Sequence, residues 1–174
     1  MSEKYKFYKG GLFFVTMTVV GWIDVFSRKM YADEIIKNLN YCIEHKGLQV
    51  FEFVIMTNHI HMICSAEDGD VGKVIKDFKS FTAKEIIKLI EQNRRESRRE
   101  WLLYMFRYFA KGTSPKCEFQ FWQHRNHPIG LESVKFIRQK ARYIVCNPVK
   151  AGIVSEPEHY IYSSANPDTE LKLS

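Results

Sequence analysis

No feature of this chain points to an oxidising compartment, a bilayer or a nucleoside triphosphate. Its four cysteines, Cys42, Cys64, Cys117 and Cys146, form no CxxC pair and no zinc-ribbon spacing. They stand mostly among apolar neighbours and read as reduced thiols of a cytoplasmic protein. No apolar run reaches the roughly 18 residues that a membrane span needs. The polar, basic N-terminus carries no signal-peptide pattern, so no membrane role is expected. No P-loop pattern occurs, so nothing indicates ATP-driven chemistry. There is no internal repeat and no low-complexity tract. These absences leave a single cytoplasmic domain, and 174 residues are enough for one with a real core.

What is present is positive charge and aromatic surface. The net charge is +6 and the pI near 9.1, which favours a polyanionic partner, nucleic acid before a membrane surface. Lys4, Tyr5, Lys6, Phe7, Tyr8 and Lys9 interleave cations with rings in a basic arm over residues 1–10. Such an arm can grip phosphates and stack on bases. The plainer reading is a solvated lead-in to the first strand.

Periodicity predicts the elements. Leu12–Val20 is β-branched and aromatic throughout and reads as a central strand, followed by a linker in which Trp22 and Phe26 pack locally. Tyr31–Lys46 has helical spacing, with Gly47 placed as its C-cap. Leu48–Ile55 and Ile60–Ser65 read as a hairpin joined by Met56, Thr57 and Asn58. Val71–Gln92 is a long amphipathic helix whose outer face carries Lys73, Lys76, Lys79, Lys84 and Lys88. Asn93–Glu100 is a charged joint and the least constrained part. Trp101–Ala110 is a short apolar helix, Glu118–Gln123 a fourth strand, and His124–Gly130 a polar loop. Leu131–Cys146 is a helix that Pro148 stops. Residues 152–174 form a polar tail anchored by Ile153, Tyr160 and Tyr162. The order is the βαββαβ of a ferredoxin-like, α+β fold: an antiparallel sheet of four or five strands with helices on one face, plus a C-terminal helix.

Two places in this pattern carry chemistry. In Val54–Cys64, VIMTNHIHMIC, His59 and His61 are separated by one apolar residue. Side chains alternate on a strand, so the two imidazoles share a face about 7 Å apart along it, while Ile60 faces the core. Two neutral imidazoles begin a divalent-metal site but do not complete one. In the last helix, Tyr143 and Asn147 stand at i and i+4 and project together. Spacing alone reads Tyr143 as a core aromatic. A tyrosine hydroxyl, with a reference pKa near 10, is a poor nucleophile unless a cation polarises its target.

The pairing of VIMTNHIHMIC with a later YIVCNPVKAGIV resembles the single-tyrosine HUH transposases, and above all the REP-associated tyrosine transposases and their insertion-sequence relatives. KFYKGGLFFVTMTV resembles their first strand, FQFWQHRNHP their Trp-Gln segment, and NPVKAGIVSEPEHYIYSSA their closing run. The resemblance covers most of the chain and implies one transposase domain over residues 1–174. It implies that His59 and His61 ligate Mg²⁺ or Mn²⁺, with Asn147 as the polar third ligand, and that the C-terminal helix carries a nucleophilic Tyr143. Cleavage of single-stranded DNA near a hairpin would leave a 5′-phosphotyrosine, and strand transfer would resolve it. A homodimer is implied, with the tyrosine acting in its own chain or its neighbour. Lys4, Lys6, Tyr8, Lys9, Lys76, Lys79, Arg125 and Arg138 are candidate DNA contacts, chosen by charge and aromaticity. The chain departs from many REP-associated relatives after Trp-Gln, where His124, Arg125, Asn126, His127 and Pro128 stand in place of an aromatic pair and an Asp. That leaves His124 and His127 as possible further site residues. Three rival readings are a domesticated protein that binds or nicks palindromic repeats without transposition, a non-enzymatic RNA-binding module and a rolling-circle initiator.

Overall fold

In the computed structural model, which describes residues 6–113 and 117–174, the strands are β1 (Phe13–Thr18), β2 (Leu48–Ile55), β3 (His59–Ala66) and β4 (Ile129–Gly130). The helices are α1 (Lys29–Lys46), α2 (Val71–Gln92), α3 (Arg99–Ala110), α4 (Val134–Val145) and α5 (Asn147–Lys150). Lys4 lies outside the described residues. The sheet runs β2-β3-β1-β4, and every pairing is antiparallel. This is the expected ferredoxin-like α+β architecture.

Alternation along β1 and β3 sorts the molecule into two layers. Phe13, Val15 and Met17 of β1 and Ile60, Met62 and Cys64 of β3 point into the larger core with the buried faces of α1 and α2. Burying each large side chain there stabilises the fold by about 1.5–3 kcal/mol. Phe14 and Ile63 point the other way and pack with Val54, Met56, Leu131 and Ile144, so α4 covers the opposite face.

Local signals set the helix ends. Asp70 caps α2 by accepting the Lys73 N–H at 2.9 Å. Gly47 ends α1 at φ 63°, a left-handed position that glycine takes without a steric penalty. Ser133 caps α4 by accepting the Phe136 N–H. That cap moves the helix start from the expected Leu131 to Val134.

Four expectations need correction. Glu118–Gln123 is not a strand. An isolated bridge, Val19 to Trp122, made by the bonds from the Val20 N–H to the Phe121 carbonyl and from the Gln123 N–H to the Thr18 carbonyl, joins it to the end of β1. The regular pairing is the two-residue β4, because His127 has a positive φ of 41° and Pro128 lacks an N–H, which breaks the ladder between them. Pro148 does not end the helical path either. It sits in the first turn of α5, where its missing N–H costs nothing. The joint at Asn93–Glu100 is pinned, since buried Glu96 pairs with Arg28 and Arg98. The C-terminal segment is more than a polar tail. It lies along the free edge of β2, with the Ile55 N–H bonded to the Tyr162 carbonyl and the Ser164 N–H to the Phe53 carbonyl, so it covers an edge that would otherwise template association. Tyr160 donates to the Ile55 carbonyl and Tyr162 to Asp33. Of the three expected anchors, Ile153 alone is exposed.

Candidate active site

His59 and His61 lie on the α4 side of the sheet, where alternation from the core residue Ile60 puts them. Their ring centroids are 4.7 Å apart at 73°, closer than their spacing along the strand, because the rings lean together. Phe14, one strand over, stacks on His61 at 5.2 Å and an interplanar angle of 23°. Thr16 is the cross-strand partner of His61, and its hydroxyl meets His61 Nδ1 at 2.8 Å.

The hydrogen bonds around His59 fix its tautomer. Asn58 Nδ2 donates to the Trp22 carbonyl at 3.1 Å and to Asp24 Oδ1 at 2.9 Å. Asp24 also accepts from the Thr57 hydroxyl. With its amide so oriented, Asn58 turns Oδ1 toward His59 Nδ1 at 2.7 Å. An oxygen acceptor there requires Nδ1 to carry the proton, which leaves the Nε2 lone pair available. The Thr16 hydroxyl can accept from His61 Nδ1 in the same way. Outer partners that hold a ligating histidine by its other nitrogen are the usual support of a metal site.

Electrostatics keeps both rings neutral. Burial holds His61 far below the usual histidine range, at about 3, and the neighbouring His59 and Lys140 push the same way. Burial also lowers His59. Neutral imidazole is the form that binds a cation. Among the described residues no group of three or more His, Cys, Asp or Glu is suited to a metal. The donors that would complete a shell are therefore an amide oxygen, water or the oxygen of a bound phosphate. That combination suits a hard divalent cation that retains part of its water.

Tyr143 comes to the histidines from α4. Ile144, fully buried, seats the helix on the sheet. The Tyr143 ring lies edge-on to His61 at 5.2 Å and to Phe14 at 5.9 Å, and it remains 39% exposed. Lys140 Nζ is 5.7 Å and Lys150 Nζ 5.5 Å from the centre of that ring. A hollow of about 420 Å³ lined by Tyr143, Lys140, Arg142 and Lys150 opens beside it. A larger one of about 810 Å³ lies between α1 and α2. Asp33, Glu34, Glu44, Asp77, Glu85 and Glu170 outnumber Lys37 and Lys46 around that second hollow, so it suits a phosphate less well. Asn147 is half-buried at the start of α5, one turn beyond Tyr143.

The candidate DNA contacts divide. Lys6, Tyr8, Lys9, Lys76, Arg125 and Arg138 are exposed, as are His124 and His127. Tyr8 also leans on Phe13 at 4.8 Å. Lys79 is no surface cation. Its ammonium turns inward to the Gln123 carbonyl at 2.7 Å and to Asn126 Oδ1, and burial lowers it to about 8. It fixes the loop whose Asn126 carbonyl accepts the Thr16 N–H. Sequence reasoning missed Thr16, Asn58, Lys140 and Lys150. Thr16 could be found only through strand register, and the lysines only through the helix crossing. Trp22 was expected to pack locally, as its neighbour Phe26 does, but it is 59% exposed and meets His59 edge-on at 5.9 Å.

Comparison with known proteins follows the same lines. A family model described as "Transposase IS200 like" matches residues 19–124, more than half of the chain. The chain is 25% identical over 167 residues to a putative REP-associated tyrosine transposase of Haemophilus influenzae, covering 96% of this chain and 86% of that one. Its fold is similar to that of a REP-associated tyrosine transposase solved bound to a REP hairpin, at a TM-score of 0.67 and 19% identity, over 97% of this chain and 85% of the other.

Proposed function

The chain belongs to the IS200-like transposase family, and on that premise we propose that it cuts and rejoins single-stranded DNA beside a hairpin. Tyr143 is the nucleophile, and His59 and His61 are ligands of a divalent cation. The observation that carries this reading is the meeting of Tyr143 and His61 within one chain, ring centroids 5.2 Å apart.

Tyr143 Oη attacks the phosphorus of a backbone phosphodiester. An Oη–P bond forms and the P–O3′ bond breaks, and the departing 3′ oxygen gains a proton as the phenol loses one. The products are a 5′-phosphotyrosine and a free 3′-OH. A 3′-OH from another strand then attacks the same phosphorus, the P–Oη bond breaks and Tyr143 is regenerated. One phosphoester replaces another at each step, so no ATP is consumed.

Mg²⁺ or Mn²⁺, when bound, withdraws charge from the scissile phosphate and orients it. His59 and His61 offer it lone pairs, Asn58 and Thr16 hold the two rings, and Asn147 is the proposed third ligand through its amide oxygen. Lys140 and Lys150 set positive charge around the tyrosine, where a phosphate would sit. The outward-facing Lys6, Lys9, Lys76, Arg125 and Arg138, with Tyr8, supply contacts to the DNA backbone and bases. One chain supplies all the groups needed for cleavage. A homodimer would serve strand transfer by bringing two ends together.

The test uses labelled single strands carrying the palindromes that flank the gene, incubated with Mg²⁺, Mn²⁺ or EDTA and run on a denaturing gel. A metal-dependent protein–DNA band, absent in Tyr143→Phe, is expected. Tight hairpin binding with no band on any of these strands would replace this reading with a palindrome-binding role that lacks cleavage.

A further inference from the structure

We infer that Trp22 is a stacking platform for the nucleobase next to the scissile phosphate, a substrate contact on the far side of the histidine pair from Tyr143. The inference rests on the single-stranded DNA reading above.

Three independent observations lead to it. Trp22 is an indole left 59% exposed in the linker between β1 and α1. Its backbone is left-handed, at φ 55°, where a bulky L-residue is strained. The surroundings hold it there. Its N–H donates to the Val19 carbonyl, and its own carbonyl accepts from Asn58 Nδ2, the same side chain that orients His59. Gly21, also left-handed at φ 61°, precedes it, and a Cβ at Gly21 would lie 2.6 Å from the Phe109 ring, so the turn closes against α3 only with glycine. The third observation is location, for the indole edge meets the His59 ring at 5.9 Å and 74°.

A strained backbone that projects an apolar ring into solvent gains nothing for the fold. Strain of this kind persists where the surrounding structure enforces it, and it clusters at functional sites. A planar, sequence-tolerant π-face beside a phosphate-handling pair is suited to a base of an unpaired strand. Duplex DNA keeps its bases stacked and offers no free face, so this contact also selects for single strands.

The experiment crosses protein variants with abasic substrates. Trp22→Gly removes the ring and suits the left-handed backbone, Trp22→Ala removes the ring alone, and Trp22→Phe keeps a π-face. The probes are the flank-derived hairpins with a single-stranded extension, intact or abasic at one position at a time around the cleavage point. Binding is read by anisotropy in Mg²⁺, covalent product on gels, and stability by melting. Trp22→Gly and Trp22→Ala should weaken binding of the intact probe about 5- to 100-fold, while Trp22→Phe stays close to wild type. One abasic position should cost the wild type a similar factor and cost Trp22→Gly almost nothing more. Trp22→Gly should melt no lower than the wild type. Equal losses on every abasic probe, or a melting temperature that collapses in Trp22→Gly, would overturn the inference. If no covalent product forms on any strand, the cleavage reading falls, and the abasic cycle read by binding alone still decides whether Trp22 stacks on a base.

Discussion

The two faces of the sheet share strands but obey different rules. On the α1–α2 side, Phe13, Val15, Met17, Ile60, Met62 and Cys64 are all fully buried and wholly apolar. On the α4 side, the same two strands present Phe14, Thr16, His59, His61 and Ile63, an apolar rim around polar groups with their own hydrogen bonds. One face holds the strands in place and the other uses their positions. A histidine pair mounted on a strand locked from behind keeps its geometry better than one on a loop.

Substitutions on each face should separate these roles. The largest effect is expected on the site face. Tyr143→Phe should lower covalent DNA product at least about 10³-fold on gels, as losing a nucleophile does. Hairpin affinity in a native gel should hold. On the core face, Met62→Ala should lower stability by about 2–5 kcal/mol in denaturant melts. Well below its melting point, that variant should still bind Mn²⁺ in calorimetry. If it does not, the two faces are not separable.

Smaller effects sharpen the comparison. Asn58→Ala frees the His59 ring and should weaken Mn²⁺ binding about 10- to 100-fold by calorimetry, the usual cost of losing an outer partner. The fourth prediction concerns pH and is read in EDTA. His61 is held at about 3 in the fold against an ordinary 6.5. Below pH 6.5 the unfolded chain takes up a proton that the folded chain refuses, so stability present above 6.5 is lost as the pH falls. The slope is about 1.4 kcal/mol per pH unit until the folded value is reached. His61→Gln has no such proton to bind, and its melting curve should fall less steeply over that window.

The strands and the two helices of the core face were legible in the sequence, because period-two runs and the spacing of α1 and α2 state the fold directly. The histidine pair was legible for the same reason, since alternation from Ile60 fixes their direction. Their neighbours were not. Thr16 joins His61 through cross-strand register, Lys140 and Lys150 join Tyr143 through the way α4 crosses the sheet, and Lys79 turns inward to fill a loop. The edge strand was misplaced because Phe119, Phe121 and Trp122 look like a strand by composition. Phe121 and Trp122 instead pack against each other and Phe26, and the regular pairing waits until after Pro128. Trp22 was misread because composition says that tryptophan packs, and only a backbone angle shows that this one is held out.

The measurement that bears most directly on the central claim, that Tyr143 is the nucleophile and that its attack depends on a divalent cation, is to locate the DNA-linked residue. Protein trapped on a flank-derived single strand in Mn²⁺ would be digested with nuclease and trypsin, and the nucleotide-bearing peptide sequenced by mass spectrometry. The account predicts the mass on Tyr143 in the peptide YIVCNPVK, between Arg142 and Lys150, and none in EDTA. Nucleotide on any other residue, or on Tyr143 without dependence on the metal, would contradict it.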